Sequence, residues 1–389
     1  MSAEAKRRPD PRPFERPVYV TRPMLPNRAA YDAHLDDIWE SAWLANNGAK
    51  HRALEAALSR HLGAANLSLF ANGTLALTVA CRALELSGEV IVTPFTFPAT
   101  VHALTWQGLT PVFADIEPER MTLDPARVEA LVTPRTSAIL GVHVYGVPCD
   151  LEGLAAVAER HGLRLIYDAA HAFGTTVNGR SIAAFGDASM FSFHATKLFH
   201  TAEGGALAVH DEETKRRVDL MKNFGILNEE EVALPGINAK MNELQAALGL
   251  ANLEVLETER AARAAVRAVY AERLAGRPGV RLVTCPEGVT DSRQYCILRI
   301  DPAAAGCHRD TVQTVLKRYN VFTRKYFYPL CSDYDCYRAL PSADPAALPV
   351  AQRVAGEVLS LPIYGGLSVA DAHRICDMIE LGLDEGEAR

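Results

Sequence analysis

The sequence contains no long apolar run and no recognisable leader segment. No stretch approaches the roughly 20 consecutive apolar residues that a membrane-spanning helix requires. Residues 1–17 are rich in Arg and Pro but lack the apolar centre that signal peptides carry. We therefore expect neither a membrane span nor a signal peptide, and we interpret residues 1–17 as a flexible tail.

The cysteines show no pairing pattern. All eight are dispersed, with no CxxC motif and no His/Cys cluster at the spacing of metal ligands, so no metal site is predicted. Cys331 and Cys336 are the closest pair, and we expect them on a surface loop as incidental neighbours. Cysteines of this kind are typical of reduced thiols and favour a cytoplasmic location.

Positive charge is not concentrated anywhere in the sequence. The formal net charge is −7 and the basic residues are scattered, so neither a nucleic-acid surface nor an anionic-membrane surface is indicated. With 389 residues, a hydrophobic fraction of 49% and a charged fraction of 22%, the chain fits an ordinary globular protein with two domains. Its partners are therefore expected to be small molecules.

Short β-branched runs alternate with helical patterns in the middle of the chain, which predicts parallel βαβ units. The predicted strands are Leu67–Phe70, Glu89–Thr93, Pro111–Ala114, Ser137–Val144, Leu163–Tyr167, Ala188–Phe193 and Ala206–His210. A long amphipathic helix from Met241 to about Leu274 contains the predicted domain junction. We predict an α/β large domain over 18–257, with a mixed, mostly parallel sheet, and a smaller α+β domain over 258–389.

The smaller domain has its own predicted elements. These are the strands Gln294–Ile300 and Val321–Tyr328 and the helices Arg309–Tyr319, Val350–Leu359 and Val369–Leu381.

Lys197 follows one predicted strand and Asp168 ends another. In open α/β sheets, ligands collect at the carboxyl ends of the strands. A lysine that forms a Schiff base and a carboxylate that keeps a pyridine nitrogen protonated are the two groups that pyridoxal 5′-phosphate (PLP) chemistry needs. Each residue alone has an ordinary interpretation, as a solvated lysine or a loop-capping aspartate. Together with the segments described next, the two predict a PLP site.

The segment Asn72-Gly73-Thr74 joins a predicted strand to a helix. The backbone N–H groups of Gly73 and Thr74, together with the Thr74 hydroxyl, suit a phosphate group at the helix start. An ordinary Asn-Gly turn with Thr74 as the cap explains this segment equally well when it is taken alone. Ser192 lies five residues before Lys197 and can donate its hydroxyl to the same phosphate.

Two aromatic residues, Phe95 and Phe97, follow the strand Glu89–Thr93. One of the rings can stack on the pyridine face, since aromatic rings pair with flat π systems. We predict Phe97 for this role, with Phe95 as the second choice, and packing in the core is the alternative for both. His171 lies close to Asp168 in sequence, where it either orients that carboxylate, contacts the O3′ side of the cofactor, or packs in the core.

Taken together, these segments resemble the DegT/DnrJ/StrS sugar aminotransferases, which are fold-type-I PLP enzymes that aminate keto-sugars attached to nucleotides. The resemblance runs from about Val18 to Ile379 in the family's order and is specific as a set. The motifs that carry it are Asn72-Gly73-Thr74-Leu75-Ala76-Leu77, Thr96-Phe97-Pro98-Ala99-Thr100, Val142-His143-Val144-Tyr145-Gly146, Tyr167-Asp168-Ala169-Ala170-His171, Ser192-Phe193-His194-Ala195-Thr196-Lys197 and Glu203-Gly204-Gly205.

The resemblance implies a role for each site residue. Lys197 is implied to be the Schiff-base lysine and Asp168 the partner of the pyridine nitrogen. Phe97 is implied to stack on the ring, and the phosphate is implied to be held by Gly73, Thr74 and Ser192. Asn238 is implied to reach the phosphate in the neighbouring subunit of an obligate homodimer with shared active sites. Many relatives carry glutamine where His171 stands, so the contact made by His171 is left open.

A narrower resemblance concerns the substrate. The stretches Phe193–Thr201 and Arg324–Pro329 resemble the branch that makes 4-amino-4,6-dideoxyglucose on a dTDP carrier. This implies transamination of dTDP-4-keto-6-deoxy-D-glucose to dTDP-4-amino-4,6-dideoxy-D-glucose, with L-glutamate as the amino donor. Arg324 and Lys325 are either contacts for the substrate diphosphate or a solvated basic pair.

Three other functions are kept as alternatives. They are a 3-aminotransferase acting on a dTDP-3-keto-6-deoxyhexose, a PLP-dependent sugar dehydratase, and a regulatory or scaffold protein that keeps the pocket without turnover. The dehydratase relatives replace the Schiff-base lysine with histidine, whereas position 197 is lysine. The intact set of Lys197, Asp168 and Ser192 argues against the scaffold.

Overall fold

The computed structural model describes residues 11–387. Its helices are α1 (Arg28–Ser41), α2 (Ala49–Leu62), α3 (Gly73–Ala83), α4 (Pro98–Trp106), α5 (Pro125–Ala130), α6 (Leu151–His161), α7 (Glu212–Met221), α8 (Glu243–Arg273), α9 (Pro302–Ala305), α10 (Arg309–Arg318), α11 (Pro349–Glu357) and α12 (Val369–Glu387). Its strands are β1 (Val18–Tyr19), β2 (Asn66–Phe70), β3 (Glu89–Val92), β4 (Thr110–Phe113), β5 (Thr136–Val142), β6 (Arg164–Asp168), β7 (Thr176–Val177), β8 (Arg180–Ser181), β9 (Ala188–Ser192), β10 (Gly205–Val209), β11 (Val280–Leu282), β12 (Val289–Thr290), β13 (Cys296–Ile300), β14 (Val321–Phe322) and β15 (Val358–Leu361).

A seven-stranded sheet in the order β2-β10-β9-β6-β5-β3-β4 forms the centre of the molecule. Neighbouring strands pair in parallel except β10, which runs antiparallel to both β2 and β9. The predicted α/β class with a mixed, mostly parallel sheet is therefore confirmed. The seven strands predicted for this part of the chain are all present, with ends within two residues of the prediction. The carboxyl ends of the parallel strands meet at one edge of the sheet.

Both faces of this sheet are buried, and successive residues of one strand serve opposite faces. Leu69 of β2 packs in a core with Leu54 and Leu58 of α2, whereas the next residue, Phe70, packs in a core with Leu77 of α3. Burial on both faces explains why the strands read as near-continuous apolar runs.

The C-terminal part of the chain forms a smaller unit around the antiparallel sheet β11-β13-β15. Its core combines these strands with α10, α12 and the second half of α8. β1 also belongs to this core, because Val18 is buried there and β1 pairs in parallel with β14. The division of the chain at residue 257 lies inside the continuous helix α8 and stays a prediction.

Part of the segment predicted as a flexible tail is packed against this smaller unit. Residues 1–10 of that segment lie outside the described residues. The backbone N–H of Phe14 donates to the carbonyl of Tyr319 over 3.1 Å, and the Arg374 guanidinium lies 3.9 Å from the centre of the Phe14 ring.

Three local predictions were wrong. The predicted strand Val321–Tyr328 ends at Phe322, because the following residues turn so that Phe327 packs against the ring of His171. The predicted helix Val350–Leu359 ends at Glu357, since Val358–Leu361 pairs with β13 instead. Cys331 is not on a surface loop but buried, and its thiol donates to the carbonyl of Thr96 over 3.3 Å.

The long helix α8 spans both parts of the molecule. It begins with a capping box, in which Asn242 and Gln245 satisfy each other's backbone N–H groups. Further along, Arg263 is 1% exposed and its Nε donates to Glu259 Oε1 over 2.7 Å. The same carboxylate oxygen accepts from the backbone N–H of Gly365 over 2.8 Å. None of the helices within residues 11–387 is both long and apolar enough to cross a bilayer.

We predict that Glu259→Ala destabilises the protein strongly, because the substitution leaves Arg263 as an unpaired buried charge. Removing one partner of such a pair costs about 3–5 kcal/mol. The matched control is Glu257→Ala, since Glu257 is 76% exposed and lies 3.8 Å from Arg260. The control should change the free energy of unfolding by less than about 1 kcal/mol. Urea unfolding of the two variants measures both values, and equal midpoints would contradict the prediction.

Candidate active site

A cavity of about 660 Å³ opens at the carboxyl edge of the large sheet. The structure brings seven of the eight predicted site residues together in its lining. They are Gly73, Thr74, Phe97, Asp168, His171, Ser192 and Lys197. Asn238 does not line this cavity within its own chain.

Asp168, the last residue of β6, supplies a buried carboxylate to the cavity. Its Oδ2 accepts from the Thr100 hydroxyl over 2.7 Å, and its Oδ1 accepts from the backbone N–H of Ala170 over 3.0 Å. Burial raises the pKa of Asp168, while these two hydrogen bonds and the charge of Lys197 oppose the rise. A buried carboxylate oriented in this way is suited to receive a charge-assisted hydrogen bond from a protonated ring nitrogen.

Lys197 lies in the irregular loop after β9, and its half-buried side chain lines the cavity. Burial lowers its pKa to about 8, although the charge of Asp168 acts in the opposite direction. Its Nζ is 5.9 Å from the ring centre of Tyr295. An amine with a lowered pKa is neutral more often, and the neutral amine is the nucleophile and base that carbonyl chemistry requires.

The start of α3 forms one corner of the cavity, which we call the helix-start corner. Asn72 is the N-cap, and its Oδ1 accepts from the Leu75 N–H over 2.9 Å. The N–H groups of Gly73 and Thr74 have no acceptor within the helix, because they belong to its first turn. Asn72 is therefore the cap, and not Thr74 as in the ordinary turn interpretation.

Two glycines allow the start of α3 to lie very close to the neighbouring strands. A Cβ on Gly73 would lie 2.9 Å from Met190 Sδ and 3.2 Å from Ser192 Cβ. A Cβ on Gly205 of β10 would lie 2.7 Å from the backbone of Asn72 and of Gly73. Because neither glycine has a Cβ, the start of α3 packs directly against the ends of β9 and β10, beside Ser192.

The two phenylalanine candidates have different environments. Phe97 is 56% exposed and lines the cavity, so its ring is available to a ligand. Phe95 is fully buried and makes edge contacts with Tyr145 and Phe327 at centre distances of 6.0 and 5.9 Å. The structure therefore places Phe97, and not Phe95, where a flat ligand can stack.

His171 is both packed and part of the cavity wall. Its ring stacks on Phe327 at a centre distance of 5.6 Å, and its Nδ1 accepts from the Tyr145 N–H over 3.2 Å. Burial, and next the charge of Lys197, hold its pKa well below the usual value. The ring is therefore neutral, and because Nδ1 is an acceptor, the proton lies on Nε2.

Several cavity residues had no role in the sequence prediction. Thr100 lies inside a recognised motif, but its hydrogen bond to Asp168 joins residues far apart in the chain. Tyr295, Tyr326 and Phe327 reach the cavity from the smaller unit. The aromatic run that begins at Tyr326 was visible in the sequence, but nothing local indicated that it turns toward the site.

The remaining candidates lie outside the cavity. Lys325 pairs with Asp310 over 2.7 Å, and neither Arg324 nor Lys325 lines the cavity. Asn238 is exposed, and the next residue, Ala239, accepts from the Ala71 N–H over 2.8 Å. Within residues 11–387, no group of three or more His, Cys, Asp or Glu side chains is arranged to hold a metal ion.

Comparison with known proteins gives consistent results. Residues 27–380 match the DegT/DnrJ/EryC1/StrS aminotransferase family. The chain is 42% identical over 359 residues to the dTDP-4-amino-4,6-dideoxy-D-glucose transaminase of Escherichia coli, covering 91% of this chain and 95% of that protein. It is 35% identical over 348 residues to a UDP-N-acetyl-3-dehydro-alpha-D-glucosamine 3-aminotransferase of Acidithiobacillus ferrooxidans, covering 89% and 90%. The crystal structure of DesI with its TDP-sugar product superimposes with a TM-score of 0.92 at 42% identity, covering 97% of this chain and 96% of DesI.

We predict that Lys197 of the cofactor-free protein is acylated by an amine-selective reagent with a midpoint near pH 8. The pKa of an ordinary lysine is about 10.4. Asp168→Asn should move the midpoint to lower pH, because it removes the carboxylate that raises the pKa of Lys197. Mass spectrometry of digested peptides measures the profile, and the exposed Lys317 provides a profile that should be unchanged by the substitution. A midpoint that stays in place or rises in Asp168→Asn would contradict the prediction.

Proposed function

We propose that this chain, which belongs to the DegT/DnrJ/EryC1/StrS aminotransferase family, binds PLP and transfers the amino group of L-glutamate to dTDP-4-keto-6-deoxy-D-glucose. The product is dTDP-4-amino-4,6-dideoxy-D-glucose, the compound named in the 42%-identical transaminase. The observation that carries the proposal is the convergence of Lys197, Asp168 and the start of α3 in one cavity. This set supplies an amine, a carboxylate and a phosphate site, which are the groups that PLP needs.

The residues of the cavity fit PLP at each part of the molecule. The N–H groups of Gly73 and Thr74 and the hydroxyl of Ser192 would hold the phosphate. Phe97 would stack on the ring, and Asp168 would accept from the ring nitrogen. When bound, PLP supplies an electron sink through its protonated pyridine ring.

The chain's own groups then carry out the proton movements. Asp168, held by Thr100 and Ala170, keeps the ring nitrogen protonated. The Lys197 amine would accept the proton that the amino-bearing carbon of glutamate loses. In the second half of the reaction, the same amine would donate a proton to C4 of the sugar. The amino group thus leaves glutamate, one water supplies the keto oxygen of 2-oxoglutarate, and the keto oxygen of the sugar leaves as water.

The aromatic residues of the smaller unit would bound the substrate side of the cavity. Tyr295, Tyr326 and Phe327 line the cavity. Apolar rings at this position exclude water from the reacting atoms, which strengthens the hydrogen bond to Asp168. They also give the deoxysugar an apolar surface.

We also propose a homodimer with shared active sites, in which Asn238 reaches the phosphate in the partner's cavity. Two exposed apolar side chains lie beside this residue: Ile237 precedes it and is 39% exposed, and Phe224, which is 47% exposed, donates its backbone N–H to the carbonyl of Ile237 over 3.1 Å. Apolar groups collected on one surface are typical of an interface. The position of Asn238 outside its own chain's cavity agrees with a role in the partner's site.

The alternative functions are weighed by one relative and by the cavity residues. The 35%-identical relative is named as a 3-aminotransferase, which keeps amination at C3 as the second candidate. Lys197 argues against a dehydratase, and the complete cavity argues against a protein without turnover. Within residues 11–387, none of the eight cysteines forms a disulfide bond, which agrees with the proposal of a reducing, cytoplasmic environment.

We predict that the protein, supplied with PLP and L-glutamate, converts dTDP-4-keto-6-deoxy-D-glucose to the 4-amino product. Mass spectrometry and NMR of the product identify the aminated carbon. Lys197→Ala should lower turnover by at least about 10³-fold, because the proton-transferring amine is lost. The matched control, Lys317→Ala, changes an exposed lysine on α10 and should retain full activity. Amination at C3, or borohydride fixation of the cofactor on another lysine, would show that the assignment is wrong.

We predict that two inactive variants restore activity when they are mixed. Lys197→Ala and a strongly impaired Asn238→Ala would form hybrid dimers in which one site contains both a wild-type lysine and a wild-type asparagine. Up to about a quarter of wild-type activity is expected, since half of the dimers are hybrids and half of their sites are complete. Subunit exchange is verified with a mass-tagged variant. Once exchange is verified, absence of recovery, or a fully active monomer in sedimentation, would contradict shared sites.

A further inference from the structure

The loop that carries Lys197 is held on both sides by a single side chain, that of Gln294. The Gln294 Nε2 donates to the carbonyl of Thr196 over 3.0 Å. Its Oε1 accepts from the backbone N–H of Leu198. Gln294 is 2% exposed, so water does not compete for these bonds. One amide therefore binds the peptide groups immediately before and after Lys197.

The loop depends on such a contact because it has no regular structure of its own. Residues 193–204, between β9 and β10, contain no helix or strand. The Lys197 N–H donates to the carbonyl of His194 over 2.8 Å, which closes a turn but leaves the following peptide group unrestrained. The bonds from Gln294 restrain it, and they set the direction in which the Lys197 side chain leaves the backbone.

Gln294 is itself firmly held. Its backbone N–H donates to the Ser292 hydroxyl over 3.2 Å, and that hydroxyl donates to the carbonyl of His171 over 2.8 Å. The buried Arg263 of α8 donates to the Gln294 carbonyl over 3.4 Å. The segment 292–295 is thus fixed to the wall of the cavity and to the long helix at once.

We propose that Gln294 is a positioning residue that sets the direction of the Lys197 amine in the cavity. The functional part of this inference rests on the proposed PLP chemistry, whereas the structural part does not. An amide offers a donor and an acceptor together, and this is what the two peptide groups require. Leucine offers neither, an ionised glutamate offers acceptors alone, and a protonated glutamate offers both.

The first test measures hydrogen exchange in the full-length protein without cofactor. In Gln294→Leu, the amide of Leu198 should exchange roughly tenfold faster than in wild type, because its acceptor is lost. Peptides spanning residues 194–200 report this rate by mass spectrometry. The matched control is Gln313→Leu, which also removes a side-chain amide bonded to a backbone carbonyl of the smaller unit, at 3.5 Å from Thr323. Unchanged exchange in Gln294→Leu, or equal acceleration in the control, would overturn the proposal.

The second test measures catalysis with PLP, L-glutamate and the nucleotide sugar. For Gln294→Leu, kcat should fall about 10- to 100-fold, since misplacing a reacting group by about 1 Å has effects of this size. KM for the sugar should change less than about threefold, because Gln294 does not line the cavity. A rise in KM with unchanged kcat would contradict a positioning role.

Gln294→Glu adds a third measurement, the pH dependence of activity, which a purely structural role of Gln294 would not change. The same variant tests the proposal if Gln294→Leu does not fold. Its activity relative to wild type at the same pH should rise as pH falls, because the protonated carboxyl donates to Thr196 and accepts from Leu198. Burial raises the pKa of such a carboxyl, so the recovery should begin above its usual value of about 4.3. A flat ratio across pH would overturn the inference. Failure of wild type to fix PLP on Lys197 would instead refute the proposed function, and the exchange test would still decide the contact.

Discussion

The burial of two opposite charges in one cavity is the constraint on which the rest of the site depends. Burial disfavours the charged form of each group, raising the pKa of Asp168 and lowering that of Lys197. Their mutual attraction offsets part of both shifts. Asp168 also has two fixed donors, which keep its carboxylate in one orientation. Within residues 11–387, the Lys197 amine makes no comparable hydrogen bond, whereas the backbone of its loop is held by Gln294.

The sheet topology explains how groups of such different character meet. Parallel strands end at the same edge, which brings β6 with Asp168 beside β9 with Ser192. The single antiparallel strand, β10, begins at this edge directly after the Lys197 loop and therefore closes the loop against the sheet. Its first residue, Gly205, contacts the start of α3. The helix-start corner and the lysine loop are thus joined through one strand.

Local signals in the sequence were sufficient for the large sheet and for most of the cavity. The spacing of apolar residues and the β-branched runs predicted its strands. Site residues such as Asp168 and Gly73 were then predicted because they lie next to the ends of those strands. The failures concern contacts that join distant parts of the chain. Val358 has the same apolar character in a helix as in a strand, and only pairing with β13 decides between them. Nothing near Gln294 in the sequence indicates that it bonds the loop around Lys197.

The contacts between residues far apart in the sequence come mainly from the smaller unit, which supports the site through them. The segment 292–295 bonds the Lys197 loop and the carbonyl of His171, while Phe327 stacks on the His171 ring. Arg263 extends the same set of bonds into α8, where Glu259 connects it to Gly365. The smaller unit therefore contributes both part of the cavity lining and the bonds that hold the Lys197 loop. Its polar groups bond both the backbone of the Lys197 loop and the carbonyl of His171, so the lysine loop and the cavity wall are held by the same segment of the smaller unit.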